Sequence, residues 1–325
     1  MTHAIRLYEN GGPEVLKWEE VELGDPGPGQ VRLRHGAVGL NFIDVYFRTG
    51  LYPLPQVPGG IGLEGAGVIE AVGDDVEGFA EGDRVAYAGP PPGAYAEARI
   101  MPAAKLVKLP ESISDQQAAA MMLQGMTVQY LIRRTYRVQA GDTVLFQAAA
   151  GGVGLIACQW LKHLGATVIG TVGSEAKAEL ARAHGCDHTI LYRSENFVER
   201  VREITDGAGV PVAYDSVGKD TFDGSLDCLS PMGTMVLFGG ASGPVPPLDL
   251  MALSQKGSLF VTRPTLMTYT AKRSDLEASA AELFDVVRTG AVKIEINQTY
   301  PLAEAARAHT DLEARKTTGS TVLLP

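Results

Sequence analysis

Residues 146–159 read FQAAAGGVGLIACQ. An apolar run gives way to alanines and glycines, and a second apolar run follows. Set against a G-x-G-x-x-G phosphate loop, the three key positions are Ala149, Gly151 and Gly154, one substitution from the strict pattern. Gly151 lets the backbone approach a pyrophosphate, Gly152 and Val153 open the helix, and Gly154 lets that helix pack against its strand. The helix N-terminus then turns unpaired N–H groups and the positive dipole end toward an anion. A glycine-rich turn also serves as a plain connector, so its surroundings decide the reading.

Those surroundings alternate. TVLFQ precedes the loop and a helix over 152–164; TVIGTV precedes EAKAELARAHG; HTILY precedes NFVERVREITDG; VAYDSV precedes TFDGSLDCLSPMG; TMVLFGG and SLFVTR follow. Six apolar runs separated by amphipathic stretches predict βαβ units and a doubly wound parallel sheet of the Rossmann type, an α/β domain over 125–265. Residues 1–124 read differently, as short strands punctuated by glycine and proline, which predicts a β-rich domain of closed or barrel-like form. The stretch 266–325 opens with the helix LEASAAELFDVVRTG and ends in the strand GSTVLLP. It reads as β-rich and is expected to return to the first domain.

The end of the second strand selects the dinucleotide. A site for NAD places an acid there to hold the ribose hydroxyls. This chain has GTVGSEAK, with Gly173 and Ser174 in the turn and no carboxylate. Glu175 opens the next helix, where an acid favours the dipole and a capping role. Lys177 follows, and Tyr192 ends the third strand. Together they predict a pocket for a 2′-phosphate and hence NADPH. Taken singly, the lysine reads better as a surface residue and the tyrosine as half-buried packing.

Composition sets the outer bounds. The 325 residues carry a formal charge of −10, which argues against a nucleic-acid partner. No run is long enough to insert as a membrane helix. Three cysteines, Cys158, Cys186 and Cys228, form no disulfide framework, so a cytoplasmic location is expected. None of the six histidines has ligand spacing; all are read as structural, with His163 and His184 on helix surfaces.

AVGLNFIDVYFRTGLYP (37–53), PGGIGLEGAGVIEAVG (58–73), GDRVAY (82–87), AAAGGVG (148–154), YDSVG (214–218) and GSTVLLP recur in order along the whole chain. The sequence resembles the medium-chain dehydrogenase/reductase superfamily, and within it the zinc-independent, zeta-crystallin-like quinone oxidoreductase group. The resemblance implies a GroES-like β-rich domain beside the Rossmann domain. Zinc-dependent members place a cysteine where this chain has Asn41 and a histidine–glutamate pair where it has Leu63-Glu64. Neither Asn41 nor Leu63 supplies a zinc ligand, so no metal is expected, and Glu64 is expected to brace or cap.

Without a Lewis acid, the expected substrate is one that accepts hydride readily: a quinone, or an alkene conjugated to a carbonyl. The catalytic candidates are Asn41, Asp44, Tyr46 and Tyr52. A tyrosine among them could donate to a developing oxyanion, or could simply pack against the nicotinamide. The resemblance extends the cofactor contacts to Asn41, Phe42, Ile43, Asp44, Tyr46, Tyr130, Ser216, Phe238, Gly239, Gly240, Ala241, Val261, Arg263 and Arg315. It also implies a homodimer through the edge strand GSLFVTR. The alternatives are an NADPH-dependent enone or alkenal reductase, and a non-catalytic NADPH-binding protein.

Overall fold

A computed structural model describes residues 1–325. They form two compact units: Met1–Met126 with Thr270–Arg288 and Ile294–Pro325, and Thr127–Tyr269 with Thr289–Lys293. The division expected from the sequence, with 125–265 as the nucleotide domain, differs from this at residues 125–126, 266–269 and 289–293.

The second unit carries a six-stranded parallel sheet. Its order across the sheet is His188–Leu191, Thr167–Val172, Thr143–Phe146, Val210–Asp215, Leu229–Leu237 and Phe260–Thr262. The chain begins in the middle and winds out to each side, which is the doubly wound Rossmann arrangement. The strands are near-continuous apolar runs because helices cover them. Leu145, Ile169, Ile190, Val210, Ala213 and Met235 join one buried cluster. The helix Gly152–His163 follows the first strand and buries Leu155, Ile156, Trp160 and Leu161.

The first unit is built around the eleven-residue strand Gln30–Leu40. One edge pairs antiparallel with Glu64–Val72. The other is shared: residues 30–34 pair with Ala98–Pro102, and residues 38–40 with the terminal strand Ser320–Leu324. The end of the chain thus returns to this sheet, as its apolar pattern predicts. A smaller sheet holds Thr2–Leu7 between Lys17–Val21 and Gly59–Gly60.

The stretch 266–325 departs from its β-rich reading. Besides strands Ile296–Pro301 and Ser320–Leu324 it holds helices Leu266–Tyr269, Arg273–Arg288 and Ala305–Glu313. The helix expected over LEASAAELFDVVRTG (276–290) is Arg273–Arg288, which begins three residues earlier and ends two before Gly290. Ala305–Glu313 is short and alanine-rich, and its buried face is only Ala305, Ala308 and His309. A helix this short depends on tertiary packing rather than on propensity.

Candidate active site

In the nucleotide unit the glycine loop lies where the pattern placed it. Gly151 is the N-cap of the helix Gly152–His163 and gives it no side-chain cap. The first-turn N–H groups at Gly152 and Val153 therefore meet no capping side chain, which suits an anion. A Cβ on Gly154 would stand 2.5 Å from the carbonyl oxygens of both Ala148 and Ala149, whereas one on Gly151 would come no nearer than 3.3 Å to Ala148. Gly154 is thus a packing requirement, and Gly151 keeps open space above the loop. Ala148 holds the strained turn at φ 59°, its N–H donating to Thr171 Oγ1 at 3.2 Å.

The adjacent turn also comes together. Tyr192 closes over Gly173, where a Cβ would lie 2.8 Å from the phenol oxygen. The Ser174 oxygen caps the helix Glu175–Ala183, accepting from the Lys177 N–H at 3.4 Å. A hydroxyl that accepts still has a proton to give. Lys177 is half-buried and Tyr192 is 41% exposed. Glu175 does not cap: its carboxylate pairs with Arg182 at 2.6 Å.

Beyond the fourth and fifth strands, Ser216, Phe238, Gly239, Gly240 and Ala241 pack as one edge. The Ala241 N–H donates to the Ser216 carbonyl at 3.1 Å, and a Cβ on Gly239 would meet that same oxygen at 2.4 Å. Arg263 reaches this edge by donating to the Leu237 carbonyl at 3.2 Å, just past Val261 on the last strand. Tyr130 ends the helix Met122–Tyr130 and stacks on Tyr269 at 4.5 Å. Burial pushes its phenol well up, so it stays a proton donor.

The β-rich unit holds the other candidates on and around the helix Phe42–Thr49. Asn41 caps that helix and is buried. Its Nδ2 donates to Glu64 Oε2 at 2.5 Å, and its Oδ1 accepts from Gln124 Nε2 at 3.1 Å. Glu64 also accepts the Leu123 N–H at 2.8 Å and so caps the helix Met122–Tyr130, the bracing role expected of it. Asp44 is fully buried and accepts the Asn41 N–H at 2.9 Å and the Tyr95 hydroxyl at 3.0 Å. Burial raises the pKa of Asp44 to about 7 and that of Glu64 to about 8. Tyr46 and Tyr52 stand edge to face at 5.2 Å, with Phe42 at 5.5 Å from Tyr46. Ile43 is half-buried on the same helix. Arg315, at φ 58° just past the helix Ala305–Glu313, is exposed.

Gln124, Tyr95, Arg48 and His309 belong to this cluster and were not legible as members of it. They are scattered in sequence, and only the fold converges them. His184, read as a surface residue, is buried with Nδ1 2.8 Å from the Leu180 carbonyl. No group of three or more His, Cys, Asp or Glu side chains is arranged to hold a metal ion. A cavity of about 630 Å³ elsewhere in the β-rich unit, lined by Val76, Phe79, Val107, Arg273 and Phe284, includes none of the expected residues.

A glycine cradle opening a helix on a parallel sheet is the arrangement of a dinucleotide-binding unit. Residues 27–111 match the alcohol dehydrogenase GroES-like domain, and residues 152–284 the zinc-binding dehydrogenase domain. A quinone oxidoreductase of Pseudomonas aeruginosa is 58% identical over 325 residues, covering all of both chains. The structure of Escherichia coli quinone oxidoreductase complexed with NADPH superposes with a TM-score of 0.98 at 48% identity, covering 99% of this chain and 100% of that one. A 2-haloacrylate reductase of Burkholderia is 49% identical, covering 100% of this chain and 99% of its own. The chain belongs to the quinone oxidoreductase group of the medium-chain dehydrogenase/reductase superfamily.

Proposed function

We infer that this chain is an NADPH-dependent quinone reductase that works without a metal. The observation that carries the reading is the closed pair Asn41–Glu64. Where zinc relatives place a ligand, this chain has an amide already spent on a buried carboxylate. Its acceptor must therefore take hydride without a Lewis acid, as a quinone does.

The cradle fits a dinucleotide: the Gly151 N-cap leaves first-turn N–H groups for a pyrophosphate, and Gly154 admits no side chain. Gly151, Gly152 and Val153 would hold the pyrophosphate, and Gly173, Ser174, Lys177 and Tyr192 the 2′-phosphate. The edge at Ser216, Phe238–Ala241, Val261 and Arg263, together with Tyr130, would hold the rest of the dinucleotide. Bound NADPH supplies the hydride. Asn41 and Asp44, whose polar atoms are largely engaged, position the segment 41–52. Tyr46 and Tyr52 carry the hydroxyls that donate to the developing oxyanion of the acceptor. The proton for the reduced quinone comes from water.

A second acceptor class has specific support in the Burkholderia 2-haloacrylate reductase, similar along the full chain. An alkene conjugated to a carboxylate would use the same donors. The exposed edge strand Phe260–Thr262, with Phe260 62% exposed, supports a homodimer that covers it. Three free, buried cysteines support a cytoplasmic setting.

The test is turnover with NADPH and NADH side by side against naphthoquinones, conjugated enals and 2-chloroacrylate. Quinone-dependent NADPH oxidation is expected. Turnover of the acrylate alone would transfer the assignment to the second class, and no turnover with any acceptor would leave a nucleotide-binding protein.

A further inference from the structure

Four buried side chains of the β-rich unit form one hydrogen-bonded row whose direction is set by chemistry. It starts at Arg48, 1% exposed on the helix Phe42–Thr49. Its Nε donates to the Gly11 carbonyl at 3.1 Å, its Nη2 to Glu313 at 2.8 Å, and its Nη1 lies 3.0 Å from His309 Nδ1. A guanidinium only donates. His309 Nδ1 must therefore accept, and the ring proton sits on Nε2. Nε2 lies 3.1 Å from the Tyr95 oxygen and donates to it. The phenol then gives its own proton to Asp44 Oδ2 at 3.0 Å. Asp44 in turn accepts the Asn41 N–H, and its Oδ1 is buried without a partner.

The opposite tautomer would reverse the row. An unprotonated Nε2 would compete with Asp44 for the tyrosine proton, and Asp44 would lose a donor it has no means of replacing from water. Burial keeps His309 neutral, with its pKa lowered to about 3. The other groups facing Asp44 are Glu64, a like charge that repels it, and Tyr87 with its neighbour Arg99. Glu313, at the surface end, balances Arg48.

We propose that His309 is a positioning residue: held as its Nε2–H tautomer by Arg48, it turns the Tyr95 hydroxyl onto Asp44 and so sets the hold of Asp44 on the Asn41 turn. Its consequence for turnover rests on the reading above that the segment 41–52 meets the acceptor; the row itself does not.

The experiment uses the full chain and four variants: Tyr95→Phe, His309→Leu, the double variant, and His309→Gln, which keeps a donor near Nε2. Ring nitrogen shifts of His309 in the unmutated protein report the tautomer. The carboxyl carbon of Asp44 is titrated in each protein, and kcat/KM for quinone is followed against pH. The Nε2–H form is expected. Tyr95→Phe removes a bond that favours the charged carboxylate, so the Asp44 midpoint should rise by about one pH unit. His309→Leu should raise it less, the double variant should match Tyr95→Phe because the two act in series, and His309→Gln should stay near the parent. The kinetic profile should move with the midpoint while KM for NADPH stays constant. An Nδ1–H tautomer, or an Asp44 midpoint unmoved by Tyr95→Phe, overturns the proposal. So does a loss of turnover equal at every pH. A midpoint that moves under an unmoved kinetic profile upholds the row and rejects the catalytic reading of the segment.

Discussion

The Asn41 amide nitrogen donates to the Glu64 carboxylate across 2.5 Å of buried space. The bond ties the cap of the helix Phe42–Thr49 to the strand Glu64–Val72, and through the Leu123 N–H to the start of a third element. One carboxylate thus holds three separate stretches of chain. Asn41 and Glu64 are buried and Leu123 is half-buried, so water has little access to replace a lost bond.

Removing that carboxylate should be expensive. Glu64→Ala leaves the Asn41 amide and the Leu123 N–H unsatisfied, at about 1–3 kcal/mol each. Asn41→Asp keeps the size of the side chain but sets two carboxylates together, a repulsion of roughly 4 kcal/mol at ~4 Å in a partly screened site. Denaturant unfolding should show Glu64→Ala clearly destabilised at pH 6, and Asn41→Asp worse at pH 8 than at pH 5. Parent-like midpoints in both would show that the pair is not a brace.

The same carboxylates predict a slope with pH. The pKa values of Asp44 and Glu64 in the fold, about 7 and about 8, lie above the ~4 of an unfolded carboxylate. Their contribution to stability is complete below the unfolded value and is lost as pH rises through the folded one. His35 and His309, both lowered to about 3 by burial, act in the opposite sense. They contribute fully above the unfolded histidine value and lose that contribution as pH falls. Glu64→Gln removes one carboxylate term only. Between pH ~5 and ~8 its unfolding free energy should fall less steeply than the parent's, by up to roughly 1.4 kcal/mol per pH unit. Parallel curves in a urea series would contradict the assignment.

The two glycines of the cradle should respond differently. A Cβ at Gly154 meets two backbone carbonyls at 2.5 Å, and neither can rotate away. At Gly151 the nearest atom is 3.3 Å off, so a small shift relieves it. Gly154→Ala should lower NADPH affinity at least about tenfold, equivalent to 1.4 kcal/mol, and lower Tm as well. Gly151→Ala should retain the fold and lose only cofactor affinity. Calorimetric titration and thermal unfolding of the pair check this.

Cofactor choice should reside in the next turn. Lys177→Ala deletes a charge-assisted bond worth about 1.5–3 kcal/mol, so NADPH should bind about ten- to a hundredfold more weakly while NADH hardly changes. Gly173→Ala should have the same sign, because its Cβ displaces the Tyr192 phenol 2.8 Å away. Equal weakening of both cofactors in Lys177→Ala would place the phosphate pocket elsewhere.

Much of this molecule is written in local pattern. The Rossmann strands announce themselves because a parallel strand covered on both faces must be apolar throughout. The loop at 148–154 is legible because close backbone approach demands residues without bulk. The missing acid after Val172 and the Asn41–Tyr52 motif belong to the same local record, and they carry the cofactor expectation and the family. What sequence could not carry is convergence. Arg48, Tyr95 and His309 are far apart along the chain, and each alone resembles a routine core or surface residue. Ala305–Glu313, which carries His309, has too weak an apolar stripe to declare itself. Burial decides the rest: the raised pKa values of Asp44 and Glu64 arise from water excluded by strands and helices distant in sequence. A carboxylate's type is fixed by its codon, but its charge at neutral pH is set by the neighbours the fold brings to it.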